Sequence, residues 1–183
     1  GACHIPRLMK LAEERQWPAL AITDHGNLFG AVEFYNTATA KGIKPIIGCE
    51  VYVAKGDHRD RKENGGYHHL LLLCKNDTGY RNLIKLVSTG YLEGFYYKPR
   101  IDKDLLAKHS EGLICTSACL AGELAEAMVE KNDYEEGRRL AYLYADIFGK
   151  ENFFIEIQDH GLDLDKKFLP MLHRLSKETG IPL

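Results

Sequence analysis

The stretch Ala21-Ile22-Thr23-Asp24-His25-Gly26-Asn27, followed later by Gly48-Cys49-Glu50, decides the fold of this chain. An apolar, strand-like run ends in Asp24-His25 at a Gly-Asn turn, and the next apolar run ends in Glu50. Side chains that can bind metal therefore come at the ends of two successive predicted strands. Because α/β folds build their sites at that edge of the sheet, the pattern predicts a metal-dependent phosphoester or nucleotide enzyme.

Length and composition fit one globular domain. The chain has 183 residues, of which 45% are hydrophobic, and its net charge is -2. A basic nucleic-acid-binding domain usually carries a surplus of Lys and Arg, so the composition argues against tight nucleic-acid binding by this segment alone. No apolar run is long enough to cross a membrane. The 5 cysteines form no CxxC pair and indicate reduced thiols in a cytosolic protein.

Predicted strands and helices alternate along the chain. The strands are predicted at residues 19–23, 44–54, 69–75, 112–117 and 152–158, and the helices at 5–16, 27–40, 77–92, 102–108, 120–131, 134–148 and 164–179. The stretch 44–54 fits one long bent strand or a strand pair, and a charged loop follows at 55–66. The apolar run at 69–75 is typical of a strand buried in a parallel sheet, and Asn27 is predicted to cap the second helix. The alternation predicts an α/β fold with a mostly parallel sheet and favours a barrel over a small open sheet.

Polar residues at or just beyond the ends of these strands define the candidate site. They are Asp24, His25, Glu50, His69, Cys119 and His160. Carboxylate, imidazole and thiolate groups together suit zinc or a similar divalent metal. Each strand of a barrel contributes one or two groups, so a barrel site is expected to draw its ligands from all along the sequence.

Each of these residues also has an ordinary structural explanation. His25 could be a turn histidine bonded to Asp24, and Glu50 could sit in a salt bridge, since a buried carboxylate needs a partner. Cys119 could be a small buried hydrophobe, and His160 could cap a strand end.

The other histidines are interpreted as surface residues. Of the pair His68-His69, the sequence favours His69 as the inward side chain and leaves His68 to the solvent. The surface group lies in predicted helices and charged loops and comprises His4, His58, His109 and His173.

The segment Phe95-Tyr96-Tyr97-Lys98-Pro99-Arg100 interleaves three aromatic residues with two cations. Such a strip could stack nucleobases or bind phosphates, and Lys98 and Arg100 are the predicted substrate-binding residues. A packed strand that extends its cations to the surface is the alternative.

Several stretches together resemble the PHP (polymerase and histidinol phosphatase) domain, in the form found in alpha subunits of bacterial replicative DNA polymerase III. They are 23–35, which opens Thr23-Asp24-His25-Gly26-Asn27, and 42–52, 69–73, 79–83, 95–102, 117–123 and 156–161. The resemblance implies a distorted seven-stranded β/α barrel of the TIM-barrel type. Residues 1–183 would then be one partial PHP domain, with the His-x-His strand expected before Gly1 and the Asp-x-His strand expected after Leu183.

The resemblance also implies ligands and an activity. His25, Glu50, His69 and Cys119 match ligand positions of a trinuclear centre, usually zinc. Three of these ligands, His25, Glu50 and His69, would act in catalysis through the metal. Two further residues, Asp24 and His160, would contact the ligands and orient them. The implied activity is 3′–5′ exonuclease cleavage at a DNA primer end, within a DNA-directed DNA polymerase of the bacterial cytoplasm. Implied partners are DNA and the other holoenzyme subunits, with the proofreading exonuclease subunit as a candidate; the isolated fragment would be inactive.

Two alternatives stay open. In the first, the domain is a catalytically inactive module that braces the polymerase and docks the proofreading subunit. In the second, it is a free-standing phosphatase of the histidinol-phosphate type. The stretches 95–102 and 117–123 resemble the polymerase branch of the family and count against the second alternative.

Overall fold

The computed structural model describes residues 3–61 and 66–183. The strands are β1 (Ala19–His25), β2 (Lys44–Ala54), β3 (Tyr67–Cys74), β4 (Phe95–Tyr96), β5 (Lys98–Ile101), β6 (Leu113–Thr116) and β7 (Phe153–Phe154). The helices are α1 (Ile5–Glu14), α2 (Ala31–Ala40), α3 (Asp77–Leu92), α4 (Lys103–Lys108), α5 (Glu123–Ala125, continued by a π-helical turn at Glu126–Glu130), α6 (Tyr134–Phe148) and α7 (Asp163–Thr179). Part of the predicted loop at 55–66, residues 62–65, lies outside the described residues.

The strands form one mixed sheet in the order β4-β5-β2-β3-β6-β7, and β1 also pairs with β2. The pairs β1–β2, β2–β5 and β6–β7 are parallel, whereas β2–β3, β3–β6 and β4–β5 are antiparallel. The prediction of a mostly parallel sheet is therefore wrong. The connection 55–66 has no apolar side chain with which a crossover helix could pack on the sheet, and β3 runs back along β2.

The α/β class is confirmed, and the stretch 44–54 is one long strand. Among the described residues no hydrogen bond joins β7 to β1, so closure into a barrel is not seen. The predicted strand at 152–158 shrinks to the short β7, followed by extended chain in which the Ile155 N–H donates to the Pro182 carbonyl at 2.8 Å. No helix within the described ranges combines the length and the apolar character needed to span a lipid bilayer.

The two faces of β2 and β3 have different neighbours. Val51 and Val53 of β2 and Leu70 and Leu72 of β3 belong to the main hydrophobic core, together with side chains from α3, α6 and α7. Because successive residues of a strand point to opposite faces, the residues between them look the other way. This alternation places Glu50, Tyr52 and His69 on a common face, away from the core.

The start of α2 differs from the prediction. Gly30, not Asn27, is the N-cap of the helix. The Asn27 side chain instead closes the preceding turn, because its Nδ2 donates to the His25 carbonyl at 2.9 Å and its Oδ1 accepts the Phe29 N–H at 3.0 Å. Asn27 therefore fixes the backbone just after His25.

His68 is buried and not solvent-exposed as predicted, with 5% of its surface accessible. Its Nε2 lies 2.7 Å from Oε2 of Glu126, at the start of the π-helical turn. Glu126 also forms ion pairs with Lys131, at 2.7 Å, and with Lys55. Burial by itself raises the pKa of Glu126, but hydrogen bonds from Lys131, Lys55 and His68 outweigh burial and lower the pKa from 4.5 to about 2.

We expect this cluster to make stability depend on acid. Because the folded pKa of Glu126 lies below the unfolded value, its contribution is complete above about pH 4.5 and is lost as the pH falls towards 2. The E126Q variant should show a smaller fall in the free energy of unfolding over that range, as measured by urea denaturation. The E130Q variant, altered at an exposed position of the same turn, should keep the parent slope, and an unchanged slope in E126Q would contradict the assignment.

Gly79 lies where α3 packs tightly against the turn before β6. A Cβ atom at this position would lie 1.8 Å from the Gly112 carbonyl oxygen, just before β6. Alanine would gain up to about 1 kcal/mol in helix propensity, but the backbone clash exceeds that gain. We expect G79A to lower the free energy of unfolding by about 1–3 kcal/mol in urea denaturation. The matched G56A variant, whose Cβ would meet nothing within 4 Å, should change it by less than about 0.5 kcal/mol.

Candidate metal centre

Strand pairing brings three of the predicted ligands together. His25 is the last residue of β1 and pairs with Glu50 in the parallel ladder. In the antiparallel ladder, His69 pairs with Tyr52, two residues beyond Glu50 and on the same face. His69 is therefore diagonal to Glu50, a spacing that long side chains can bridge.

The Glu50 carboxylate lies between the two imidazoles. Its Oε1 is 3.6 Å from Nδ1 of His25 and also contacts Nδ1 of His69. One potential ligand atom from each of the three residues lies within 4.8 Å of the others. The side chains of Glu50 and His69 are each 20% exposed and that of His25 is 63% exposed, so the cluster opens to solvent on the His25 side.

Cys119 approaches the cluster from the loop after β6. That loop folds over the start of β3, where the His69 N–H donates to the Ala121 carbonyl at 2.9 Å. Ala118 adopts a left-handed backbone conformation with φ 59°, which is uncommon for a residue with a side chain. The result is a Cys119 Sγ that lies 3.9 Å from Nδ1 of His69.

The chemistry of this donor set fits a divalent metal of the zinc type. Two imidazole nitrogens, one carboxylate oxygen and a nearby thiol are ligands that zinc takes in proteins. Cys49 does not belong to the set, because it lies between Gly48 and Glu50 on the opposite face of β2 and is buried. Burial raises the pKa of its thiol to about 12, so Cys49 stays protonated.

Aromatic residues that the sequence analysis did not select surround His69. The Tyr67 ring is stacked on the His69 ring with centroids 6.1 Å apart, and Tyr52 meets it edge-on at 5.3 Å. Lys98 Nζ lies 5.2 Å from the Tyr52 ring centroid. Burial raises the pKa of Tyr52, although Lys98 acts in the opposite direction. The sequence could have indicated Tyr52, because it follows Glu50 by two residues and side chains at that spacing share one face of a strand.

Arg100 does not occupy a substrate-binding position. Its surface is 1% exposed, and its guanidinium donates to the carbonyls of Gly94 at 3.3 Å, His58 at 3.2 Å and Asp60 at 2.6 Å. The prediction that Arg100 contacts a phosphate is corrected here: the residue pins the segment after β2 to β5. Lys98 is the one member of the predicted pair that lies near the candidate centre.

Asp24 lies on the face opposite the cluster, and His160 contacts a residue of its own segment. Asp24 is next to His25 along β1 and so points to the opposite face, where its Oδ2 accepts the Gly30 N–H at 3.1 Å. The prediction that Asp24 orients the His25 ring is therefore not met. His160 contacts Gln158, with Nε2 of the ring 3.0 Å from Oε1 of the amide.

A second group of titratable side chains lies around His58, which is 5% exposed and not at the surface as predicted. Its Nδ1 is 2.5 Å from Oδ2 of Asp102, which also accepts the His58 backbone N–H at 3.1 Å. Asp57, 3.7 Å from the same ring nitrogen, is bound by Arg59. The contacts to Asp102 secure the loop after β2, whereas Nε2 of the His58 ring is buried without a hydrogen-bond partner among the described residues.

Comparison with known proteins agrees with this architecture. A family model described as "PHP domain" matches residues 1–160, and the chain belongs to this family. The chain is similar to the DNA polymerase III subunit alpha of Treponema pallidum (51% identical over 100% of the chain) and of Thermus aquaticus (50% over 99%). It is also 54% identical over 87% of its length to the corresponding subunit of Chlamydia trachomatis. The chain spans only 16%, 15% and 13% of these relatives.

The geometry predicts that Glu50 is required for metal binding. In the E50Q variant a neutral amide replaces the carboxylate that faces both imidazoles, so we expect zinc affinity to fall at least about tenfold in calorimetric titration. The D57N variant, which alters the group around His58, should keep the parent affinity. Equal loss in both variants, or loss in D57N alone, would contradict the placement of the centre.

Proposed function

We propose that this chain is the PHP segment of a bacterial replicative DNA polymerase III alpha subunit and hydrolyses phosphodiesters at DNA 3′ ends with the help of bound metal. The observation that carries this proposal is the convergence of His25, Glu50 and His69, with Cys119 beside them, in a chain of this family. The similarity to polymerase III alpha subunits supports the substrate, DNA.

The proposed roles follow from the geometry. His25, Glu50, His69 and Cys119 would hold zinc or a similar divalent cation, which when bound supplies Lewis-acid polarisation of a phosphoryl oxygen. Glu50 Oε1 contacts Nδ1 of both imidazoles and so links the two rings. The Tyr67 and Tyr52 rings restrict the orientation of His69. His69 therefore needs little reorganisation to act as a ligand.

Lys98 is the proposed phosphate contact. Its ammonium group lies above Tyr52, whose ring in turn touches His69. A cation in this position would attract the backbone phosphate of a DNA end towards the candidate metal centre and bind it there. The aromatic neighbour keeps the flexible lysine stem close to the site.

The larger setting is part of the proposal. We place the chain within a seven-stranded PHP barrel completed by a His-x-His strand and an Asp-x-His strand, in which a trinuclear zinc centre forms. The whole polypeptide would synthesise DNA in the bacterial cytoplasm, together with other holoenzyme subunits, and the proofreading exonuclease subunit is a candidate partner. His160 would support the ligands from the segment after β7.

The test uses the full-length gene product with zinc and a single-stranded oligonucleotide labelled at its 5′ end. We expect E50Q and H69A each to slow shortening from the 3′ end at least about 100-fold, because they remove ligands of the catalytic metal. The H173A variant, altered at an exposed histidine of α7, should match the parent.

DNA synthesis by the same preparations is the control for folding. Retained synthesis with lost hydrolysis supports a catalytic centre in this segment. A parent protein that binds no zinc and shortens no DNA end, or variants that match the parent, would favour the inactive docking module. Hydrolysis of histidinol phosphate but not of DNA ends would favour the small-molecule phosphatase.

A further inference from the structure

A pocket of about 330 Å³ opens beside Cys119, between the loop after β6, the segment after β7 and helix α7. Its two walls differ in character. The segment after β7 contributes mainly polar side chains, Glu156, Gln158 and His160, and the start and body of α7 contribute mainly apolar ones, Leu162, Phe168 and Leu172, together with the carboxylate of Asp165. A cavity of this size, with apolar lining and a few convergent polar groups, is typical of a site for a small ligand.

The polar wall is held in place by its own hydrogen bonds. Thr116 Oγ1 donates to one carboxylate oxygen of Glu156, and Gln158 Nε2 donates to the other at 2.5 Å. The Glu156 backbone N–H donates to Ser117 Oγ at 2.9 Å, which anchors the segment to the end of β6. Gln158 Oε1 lies 3.0 Å from His160 Nε2, so the orientation of its amide is set from both sides. The wall is therefore organised before any ligand binds.

Glu156 is the charged side chain of this wall. Within the described ranges, no Lys, Arg or His side chain lies within ion-pair distance of its carboxylate, which is half-buried. The charge also acts on Cys115, where burial first and Glu156 second raise the pKa of the thiol well above its usual value. A partly buried carboxylate without a cation favours a ligand that brings N–H donors. Among nucleobases, the exocyclic amino group of cytosine is such a donor for a carboxylate, and thymine has no amino group.

The pocket adjoins the candidate metal centre. Cys119 lines the pocket, and its Sγ lies 3.9 Å from Nδ1 of His69. A nucleotide whose phosphate is near His69 could therefore extend its base past Cys119. Phe168 and Leu172 are 6% and 1% exposed, so core packing fixes the base of the apolar wall. Leu162, which is 53% exposed, offers a ligand an accessible apolar face.

From these observations we infer that the pocket binds the base of the DNA terminus and that Glu156 selects bases with an amino group. This inference rests on the proposed function, since it assigns the terminal nucleotide to the space next to the centre. Glu156 is a specificity-determining residue in this assignment and is separate from the metal ligands.

The experiment compares oligonucleotides that differ only in the terminal base. In the full-length gene product, kcat/KM should be higher for a terminal dC than for a terminal dT. The E156Q variant should lose about tenfold for dC, mainly through a higher KM, and change less than about twofold for dT. Hydrolysis of bis(p-nitrophenyl) phosphate, a diester without a base, and the zinc content should match the parent. The E111Q variant, altered at an exposed glutamate elsewhere, should keep the parent ratio.

Two results would overturn the inference: a parent enzyme indifferent to the terminal base, or an E156Q variant that loses activity equally on dC, dT and the base-free diester. If the parent hydrolyses no diester, the proposed function fails and the pocket is tested by calorimetric titration with dCMP and dTMP. Binding of dCMP that weakens in E156Q would then support the pocket by itself. Equal binding of both nucleotides, or none, would overturn it.

Discussion

The antiparallel register between β2 and β3 is the constraint on which the rest of the structure depends. It sets His69 opposite Tyr52 and diagonal to Glu50, while the parallel register with β1 sets His25 beside Glu50. In a parallel arrangement the first residues of β3 would lie at the opposite edge of the sheet from the end of β1. A shift by one residue would turn Glu50 into the core and leave a charged group without a partner there. Chain reversal at 55–66 therefore assembles the candidate centre.

The sequence indicated the family, the α/β class and the ligand-type residues, because these depend on residue type and on where apolar runs stop. The direction of β3 was not accessible in this way. Its run of four leucines offers apolar side chains to both faces, so periodicity carries no information about its neighbours. The composition of the connection between β2 and β3 was the better signal, since 55–66 has no apolar side chain to form the packed face of a crossover helix.

Long-range partners explain the other differences. Cations interleaved with aromatic residues look alike in sequence whether they face solvent or backbone carbonyls, and Arg100 faces the carbonyls of His58 and Asp60. His58 lies in a charged segment and is nevertheless buried, since the Asp102 carboxylate contacts Nδ1 of its ring and accepts its backbone N–H. The position of Asp24 could have been predicted from the sequence, because consecutive residues of a strand, such as Asp24 and His25, point to opposite faces. The metal role of His25, Glu50, His69 and Cys119 stays a prediction.

The alternation along β2 has a consequence for how such a domain can evolve. Cys49, Val51 and Val53 belong to the hydrophobic core, whereas Glu50, interleaved with them, belongs to the candidate metal cluster. Heritable change can therefore erase or rebuild the ligand set while the buried residues and the topology persist. Domains with the same architecture can therefore include both hydrolases and catalytically inactive scaffolds, because core residues and ligand-type residues occupy alternate positions of one strand.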